Sequence, residues 1–91
     1  MAEQTKLVEL YTLSTCPWSR SAKAFLDDRR VKYDYVDYDL ADAGEQARIR
    51  EEMIGRGAAA FPFVKIGDEF IVGYNPDAFT RLLELETRED G

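Results

Sequence analysis

A single cysteine, Cys16, lies where an apolar segment ends and a helix is predicted to begin with Pro17. At a helix N-terminus, the unpaired backbone N–H groups and the positive end of the helix dipole stabilise a thiolate and lower the cysteine pKa. Arg20, one turn further along, adds a positive charge with the same effect. The alternative is a small buried side chain, because free cysteines are often buried. The placement of Cys16 favours a reactive thiol.

The chain contains no histidine and no second cysteine. These absences exclude an internal disulfide, activation by a Cys-His pair and the usual zinc sites that contain histidine. Cys16 must therefore be activated by backbone dipoles and cations. A lone available thiol is typical of the reducing cytosol, and neither a signal peptide nor a transmembrane run is recognisable. We expect a cytoplasmic protein.

The length of 91 residues predicts one domain over residues 1–91, with a core at about residues 6–85 and loose ends at 1–5 and 86–91. Hydrophobic residues at 45% and charged residues at 33% are typical of a globular domain rather than a disordered chain. The formal net charge is -6 and no basic stripe is present. We therefore expect no nucleic-acid or membrane partner, and a monomer.

The first half of the chain has the pattern of a strand, a helix and a second strand. The strands are predicted at residues 6–11 and 32–38, and the helix at residues 17–30. This arrangement predicts a right-handed parallel crossover. The buried face of the helix is predicted from apolar residues at helical spacing, which are Ala22, Phe25 and Leu26. Trp18 is either an exposed docking aromatic or a partly buried helix residue, and we expect exposure because these three residues already define the core face.

The second half begins with a helix predicted at residues 42–54. Asp42, the N-cap, and Glu45 have the spacing of a capping box, and Gly55 or Gly57 is expected to end the helix. Two short strands, at residues 62–66 and Glu69–Val72, flank a Gly-Asp pair that predicts an antiparallel hairpin. Asn75, followed by proline, predicts the start of a last helix. The predicted fold class is α/β, in the order β-α-β-α-β-β-α, with three helices covering a four-stranded mixed sheet.

Three separated motifs follow one another along the chain: Ser14-Thr15-Cys16-Pro17-Trp18-Ser19, Ala60-Phe61-Pro62 and Val72-Gly73-Tyr74-Asn75. In this order they resemble the motifs of the glutaredoxin family, a minimal form of the thioredoxin fold. They are similar to the family's Thr-Cys-Pro-Tyr-Cys, its Thr-Val-Pro and its Gly-Gly turn. The resemblance covers nearly the whole chain and implies a thiol-disulfide oxidoreductase. The implied catalytic residues are Cys16, Pro17, Ser19 and Arg20.

The resemblance also implies where a substrate binds. It implies a cis peptide before Pro62, with the Phe61 backbone pairing with extended glutathione or a peptide. Taken alone, Pro62 is typical of the start of an edge strand. Backbone N–H groups at the start of the last helix would hold a glutathione carboxylate, while Asn75 also caps that helix. The implied contacts are Thr15, Trp18, Phe61, Pro62, Gly73, Tyr74, Asn75 and Asp77, and no metal site or permanently bound cofactor is expected.

Several positions depart from the glutaredoxin pattern. Ser19 replaces the resolving cysteine, and Leu13 replaces a lysine that many members use to bind glutathione. The turn starting at Val72 resembles more closely that of ribonucleotide-reductase-type redoxins, which are reduced by thioredoxin reductase. Glutathione is thus a candidate co-substrate, and a thioredoxin-reductase-type reductase is the alternative partner. Ser19 is explained equally by a native monothiol site or by an engineered Cys-to-Ser change. The expected substrates are disulfide-containing or glutathionylated proteins.

Two other functions have some support in the sequence. An arsenate-reductase-like branch of the same fold also carries Cys-x-x-Ser-Arg, but the interval of residues 50–60 is too short for its additional helical segment. An interaction module without thiol reactivity would keep the fold and have an ordinary Cys16 pKa. Four acidic residues, Asp34, Asp37, Asp39 and Asp42, lack the glycine spacing of a calcium loop, and we interpret them as a solvated strand end.

Overall fold

The computed structural model describes residues 6–83, which contain the predicted order of strands and helices. In chain order the elements are β1 (Val8–Thr12), α1 (Pro17–Asp28), β2 (Asp34–Asp37), a 3-10 helix (Tyr38–Leu40), α2 (Ala43–Gly55), β3 (Phe63–Ile66), β4 (Glu69–Val72) and α3 (Pro76–Leu83). The ends predicted to be loose, residues 1–5 and 86–91, lie outside the described residues.

Strand β1 lies inside the sheet, whose strand order in the described part of the chain is β2-β1-β3-β4. It runs parallel to β2, with Leu10 opposite Tyr35, and antiparallel to β3, with Leu10 opposite Val64. Strands β3 and β4 form the hairpin, where Gly67 has the positive φ of 61° that its turn requires. The predicted parallel crossover, hairpin and mixed sheet are confirmed.

Successive residues of β1 face opposite sides of the sheet, as the strand pleat requires. Leu10 lies on the side covered by α1 and α3, in a buried cluster with Ala22, Phe25, Leu26 and Phe79. Tyr11 lies on the side covered by α2, in a second cluster with Ile49, Met53 and Phe63. Because β1 is packed on both faces, the loop that follows it starts from a fixed point. Truncating Leu10 to alanine would cost about 2–5 kcal/mol of stability.

Helix α1 ends at Asp28, two residues earlier than predicted, and a residue with left-handed backbone follows the helix end. Arg30 has a φ of 59°, a region that normally favours glycine. The N–H of Arg30 donates to the Asp27 carbonyl at 3.0 Å, and the N–H of Val31 donates to the Leu26 carbonyl at 2.9 Å. These bonds satisfy carbonyl groups at the helix end, so the left-handed turn ends the helix.

Strand β2 is shorter than the predicted residues 32–38. It spans Asp34–Asp37 at the edge of the sheet, and the chain then turns into the 3-10 helix Tyr38–Leu40, which the sequence did not predict. Strand β3 begins at Phe63 rather than at Pro62, because proline has no N–H to donate to a neighbouring strand. The apolar pattern located these strands but not their ends.

Helix α2 begins and ends as its capping residues predict. The Asp42 carboxylate accepts the Glu45 N–H at 2.8 Å, while the Glu45 side chain pairs with Arg48 instead of completing a capping box. The helix ends at Gly55, and Gly57 follows with a φ of 72°. Among the described residues, no helix combines the length and apolar character needed to cross a membrane.

Candidate active site

The loop from β1 to α1 places Cys16 at the N-cap of α1, with extended backbone. The Cys16 N–H donates to the Leu13 carbonyl at 3.1 Å, which closes the loop into a turn. Pro17 occupies the first helical position, and the Arg20 N–H donates to the Cys16 carbonyl at 3.1 Å as the first helical bond. Cys16 is a free, partly exposed thiol. The predicted position of Cys16 is confirmed.

Hydrogen bonds from the start of α1 lower the pKa of the Cys16 thiol. The Ser19 backbone N–H contributes most, the Trp18 N–H and the Ser19 hydroxyl add to it, and the charge of Arg20 has the smallest effect. Desolvation of the thiolate opposes these contributions. Both predicted causes act in the predicted direction, with the helix N-terminus stronger than Arg20. The site therefore favours the nucleophilic form of the thiol.

Ser19 is completely buried beneath the loop. Its Oγ accepts the Leu13 N–H at 3.1 Å, which leaves the hydroxyl hydrogen available for Cys16. The contribution of this hydroxyl to the lowered Cys16 pKa agrees with that orientation. Ser19 thus connects the loop before Cys16 to the helix after it.

The three motifs identified in the sequence lie next to one another in the structure. The exposed Trp18 stacks on Tyr74, with ring centroids 6.1 Å apart and an interplanar angle of 20°. The Gly73 N–H donates to the Pro62 carbonyl at 2.7 Å. The Phe61–Pro62 peptide is cis, as the resemblance implied. Since β3 lies inside the sheet, the alternative of Pro62 at an edge strand is wrong.

The turn before α3 carries the remaining predicted contacts. The Asn75 side-chain oxygen accepts the Ala78 N–H at 3.1 Å, so its role as N-cap is confirmed. Asp77 is exposed in the first turn of α3, and Thr15 is exposed next to Cys16. Carboxylate binding by the Tyr74 and Asn75 backbone remains a prediction.

The sequence analysis missed a set of polar contacts below the Cys16 loop. Thr12 is completely buried and donates to an Asp37 carboxylate oxygen at 2.5 Å; Lys23 pairs with the same oxygen at 3.2 Å. The Asp37 side chain is only 15% exposed, so its interpretation as part of a solvated strand end is wrong. Asp37 ends β2 directly beside Thr12 in the parallel register, so the contact depends on the sheet register and has no local sequence signal.

A second aspartate binds the same loop from outside. The Asp39 carboxylate accepts the Ser14 N–H at 2.8 Å and the Ser14 hydroxyl at 2.5 Å. The hydroxyl bond, followed by the N–H bond, lowers the pKa of Asp39. Among the described residues, no group of three or more histidine, cysteine and carboxylate side chains is arranged to hold a metal ion.

Comparisons with known proteins place these features in one family. A family model described as Glutaredoxin matches residues 8–71. The chain is 28% identical over 88 residues to Glutaredoxin 1 of Rickettsia bellii (strain RML369-C), covering 89% of this chain and 90% of that protein.

Solved structures give the same result. The glutaredoxin from Methanosarcina mazei Go1 superposes with a TM-score of 0.77 at 31% identity, over 85% of this chain and 77% of that one. The glutaredoxin (grx-1) from Archaeoglobus fulgidus superposes with a TM-score of 0.76 at 26% identity, over 86% of each chain. These superpositions confirm the predicted fold class.

Proposed function

This chain belongs to the glutaredoxin family, and we propose that it is a thiol-disulfide oxidoreductase in which Cys16 acts alone. One observation carries the proposal: the Cys16 thiol lies at the N-terminus of α1, where the Ser19 and Trp18 N–H groups lower its pKa. A thiolate of this kind is the nucleophile of disulfide exchange.

The reaction that this site supports has two exchange steps. The Cys16 thiolate attacks one sulfur of a mixed disulfide that contains a protein or glutathione sulfur. A new disulfide forms between Cys16 and that sulfur, and the other sulfur leaves as a thiolate. An external thiolate then attacks the partner sulfur of the Cys16 adduct, forming a second disulfide and releasing Cys16 as a thiolate. In the two steps together, one half of the substrate disulfide is released as a thiolate, and the other half leaves in a disulfide with the external thiol, so Cys16 is regenerated with no net change in oxidation state.

The Ser19 hydroxyl suits this monothiol cycle, because it can donate to Cys16 sulfur as attacking and as leaving group. Serine cannot expel the adduct as a second thiol would, so resolution requires an external thiol. If Ser19 stands in place of a native cysteine, the native cycle is dithiol, since positions 16 and 19 are one helical turn apart.

The surface beside Cys16 supports an extended substrate. We propose that the substrate lies along the backbone before cis Pro62 and reaches the turn at Tyr74, with Trp18 flanking it. Leu13 in place of the family's lysine leads us to expect weak affinity for reduced glutathione. The reductant is glutathione or a thioredoxin-reductase-type reductase, and the protein works in the cytosol.

The proposal is tested with oxidised glutathione and mass spectrometry of the product. We expect one glutathione per chain, attached to Cys16, and its retention because Ser19 cannot expel it. A product with mainly Cys16-Cys16 dimers would argue for a redoxin that prefers protein thiols over glutathione. Absence of any adduct at a pH where free cysteine reacts would contradict thiol exchange at this site. The Cys16→Ser variant is the control for attachment elsewhere.

A further inference from the structure

The last residue of β2, Asp37, and Asp39 in the 3-10 helix that follows bind the two residues on either side of Leu13. Asp37 accepts the buried Thr12 hydroxyl at 2.5 Å. Asp39 accepts both the N–H and the hydroxyl of Ser14, at 2.8 and 2.5 Å. Leu13 lies between these two attachment points, so its two peptide groups are fixed from both sides.

The peptide groups of Leu13 are the ones that hold the redox residues. Its N–H donates to Ser19 Oγ at 3.1 Å, and its carbonyl accepts the Cys16 N–H at 3.1 Å. The orientation of the Ser19 hydroxyl and of the Cys16 backbone therefore depends on the position of Leu13. A shift of this residue would misalign the bonds that favour the Cys16 thiolate.

We propose that Asp37 and Asp39 are positioning residues of the redox site, which hold the Leu13 peptide groups where they orient Cys16 and Ser19. The inference rests on the proposed function of Cys16. The site is thus supported by residues of the edge strand β2 and of the 3-10 helix Tyr38–Leu40, which do not themselves contact the substrate in this proposal.

The charges around the loop allow a positioning role of Asp39 to be distinguished from a purely electrostatic one. The groups involved are Arg20 on the side of Cys16, the Asp37–Lys23 pair beneath Thr12, and Asp39 on Ser14. The negative charge of Asp39 by itself disfavours a nearby thiolate. Removing it would lower the Cys16 pKa if only charge mattered. Loss of the positioning bonds would raise that pKa instead.

The experiment compares Asp39→Ala and Asp39→Asn by the pH dependence of Cys16 alkylation. Both substitutions remove the charge, but asparagine keeps an oxygen that can accept the Ser14 N–H. We expect the alanine variant to raise the Cys16 midpoint by about half a pH unit or more, with asparagine at or below the unsubstituted midpoint. Asp34→Ala, at an exposed aspartate that starts the preceding strand β2, is the matched control and should leave the midpoint unchanged.

An unchanged or lowered midpoint in Asp39→Ala would overturn the proposal. If that variant does not fold, Ser14→Ala tests the same contact, because it removes only the hydroxyl bond to Asp39. We expect a smaller rise in the Cys16 midpoint there, and no rise would again overturn the inference.

An ordinary Cys16 midpoint in the unsubstituted protein would count against the proposed function itself. Exchange protection of the Ser14 amide, lost in Asp39→Ala but kept in Asp39→Asn, then tests the positioning role separately, and equal protection in both would reject it.

Discussion

Ser19 Oγ accepts the Leu13 N–H at 3.1 Å, so the residue three positions after Cys16 is bonded to the residue three positions before it. This bond spans the base of the Cys16 loop, and its acceptor residue, Ser19, is completely buried. It gives the buried hydroxyl a fixed direction, and it leaves one hydrogen that can stabilise the thiolate.

Replacing Ser19 with alanine should raise the Cys16 pKa, because the thiolate loses the Ser19 hydroxyl as a donor. The Leu13 N–H would also lose its acceptor, so we expect a loss of about 1–3 kcal/mol in the free energy of unfolding. The pKa is measured from alkylation rates, and stability from urea unfolding. Ser21→Ala on the same helix is the control; a Ser19→Ala midpoint equal to that of the control would show that the hydroxyl does not act on Cys16.

Replacing Ser19 with cysteine should convert the chain to a dithiol redoxin. Positions 16 and 19 lie at the first turn of α1, the separation that Cys-x-x-Cys motifs bridge. Mild oxidant should produce an internal disulfide, detected as the loss of two titratable thiols in a monomer. The unsubstituted chain should form no such bond. A folded Ser19→Cys protein that keeps both thiols reduced would count against glutaredoxin-like loop geometry.

Replacing Arg20 with glutamate should raise the Cys16 pKa, because a positive charge near the thiolate is replaced by a negative one. Arg20 is exposed and contributes the smallest of the effects that lower this pKa. The shift should shrink as salt is raised from low concentration to about 1 M, where charges are screened within about 3 Å. Arg29→Glu, at the other end of α1, is the control. An Arg20→Glu shift that is independent of salt would point to an altered loop rather than to charge.

Replacing Arg30 with glycine should stabilise the fold by about 0.5–1 kcal/mol, because glycine adopts the left-handed conformation without a Cβ penalty. The φ of 59° at Arg30 is the observation behind this prediction. Urea unfolding measures the change, and Arg30→Ala is the control that removes the side chain but keeps the Cβ. If glycine were no more stable than alanine, the backbone at this position would carry no strain.

The parts of the fold that follow from local patterns were predictable from the sequence. Apolar spacing located the strands and helices, and Asp42 and Asn75 marked two helix starts that the structure confirms. Cys16 before Pro17 marked the third. Each of these signals depends on residues within one or two helical turns, so no knowledge of the tertiary structure is needed.

The contacts that position the Cys16 loop were not predictable in the same way. Thr12 and Asp37 are 25 residues apart, and they meet only because β1 and β2 pair in a parallel register that brings both strand ends together. The left-handed Arg30 was missed because the residue type argues against it. The residues that support the site thus required the sheet register, whereas the nucleophile itself did not.

The central claim is that the fold activates Cys16, and the most direct test is the alkylation rate of the unsubstituted chain as a function of pH. We expect a midpoint below the value of about 8.5 for an ordinary cysteine. Because the folded pKa is then below the unfolded one, ionisation of Cys16 stabilises the fold above the unfolded pKa, and this stability is lost as the pH falls through the folded pKa. Repeating the titration after incubation with oxidised glutathione should show the thiol blocked. A midpoint at or above about 8.5 would contradict the claim.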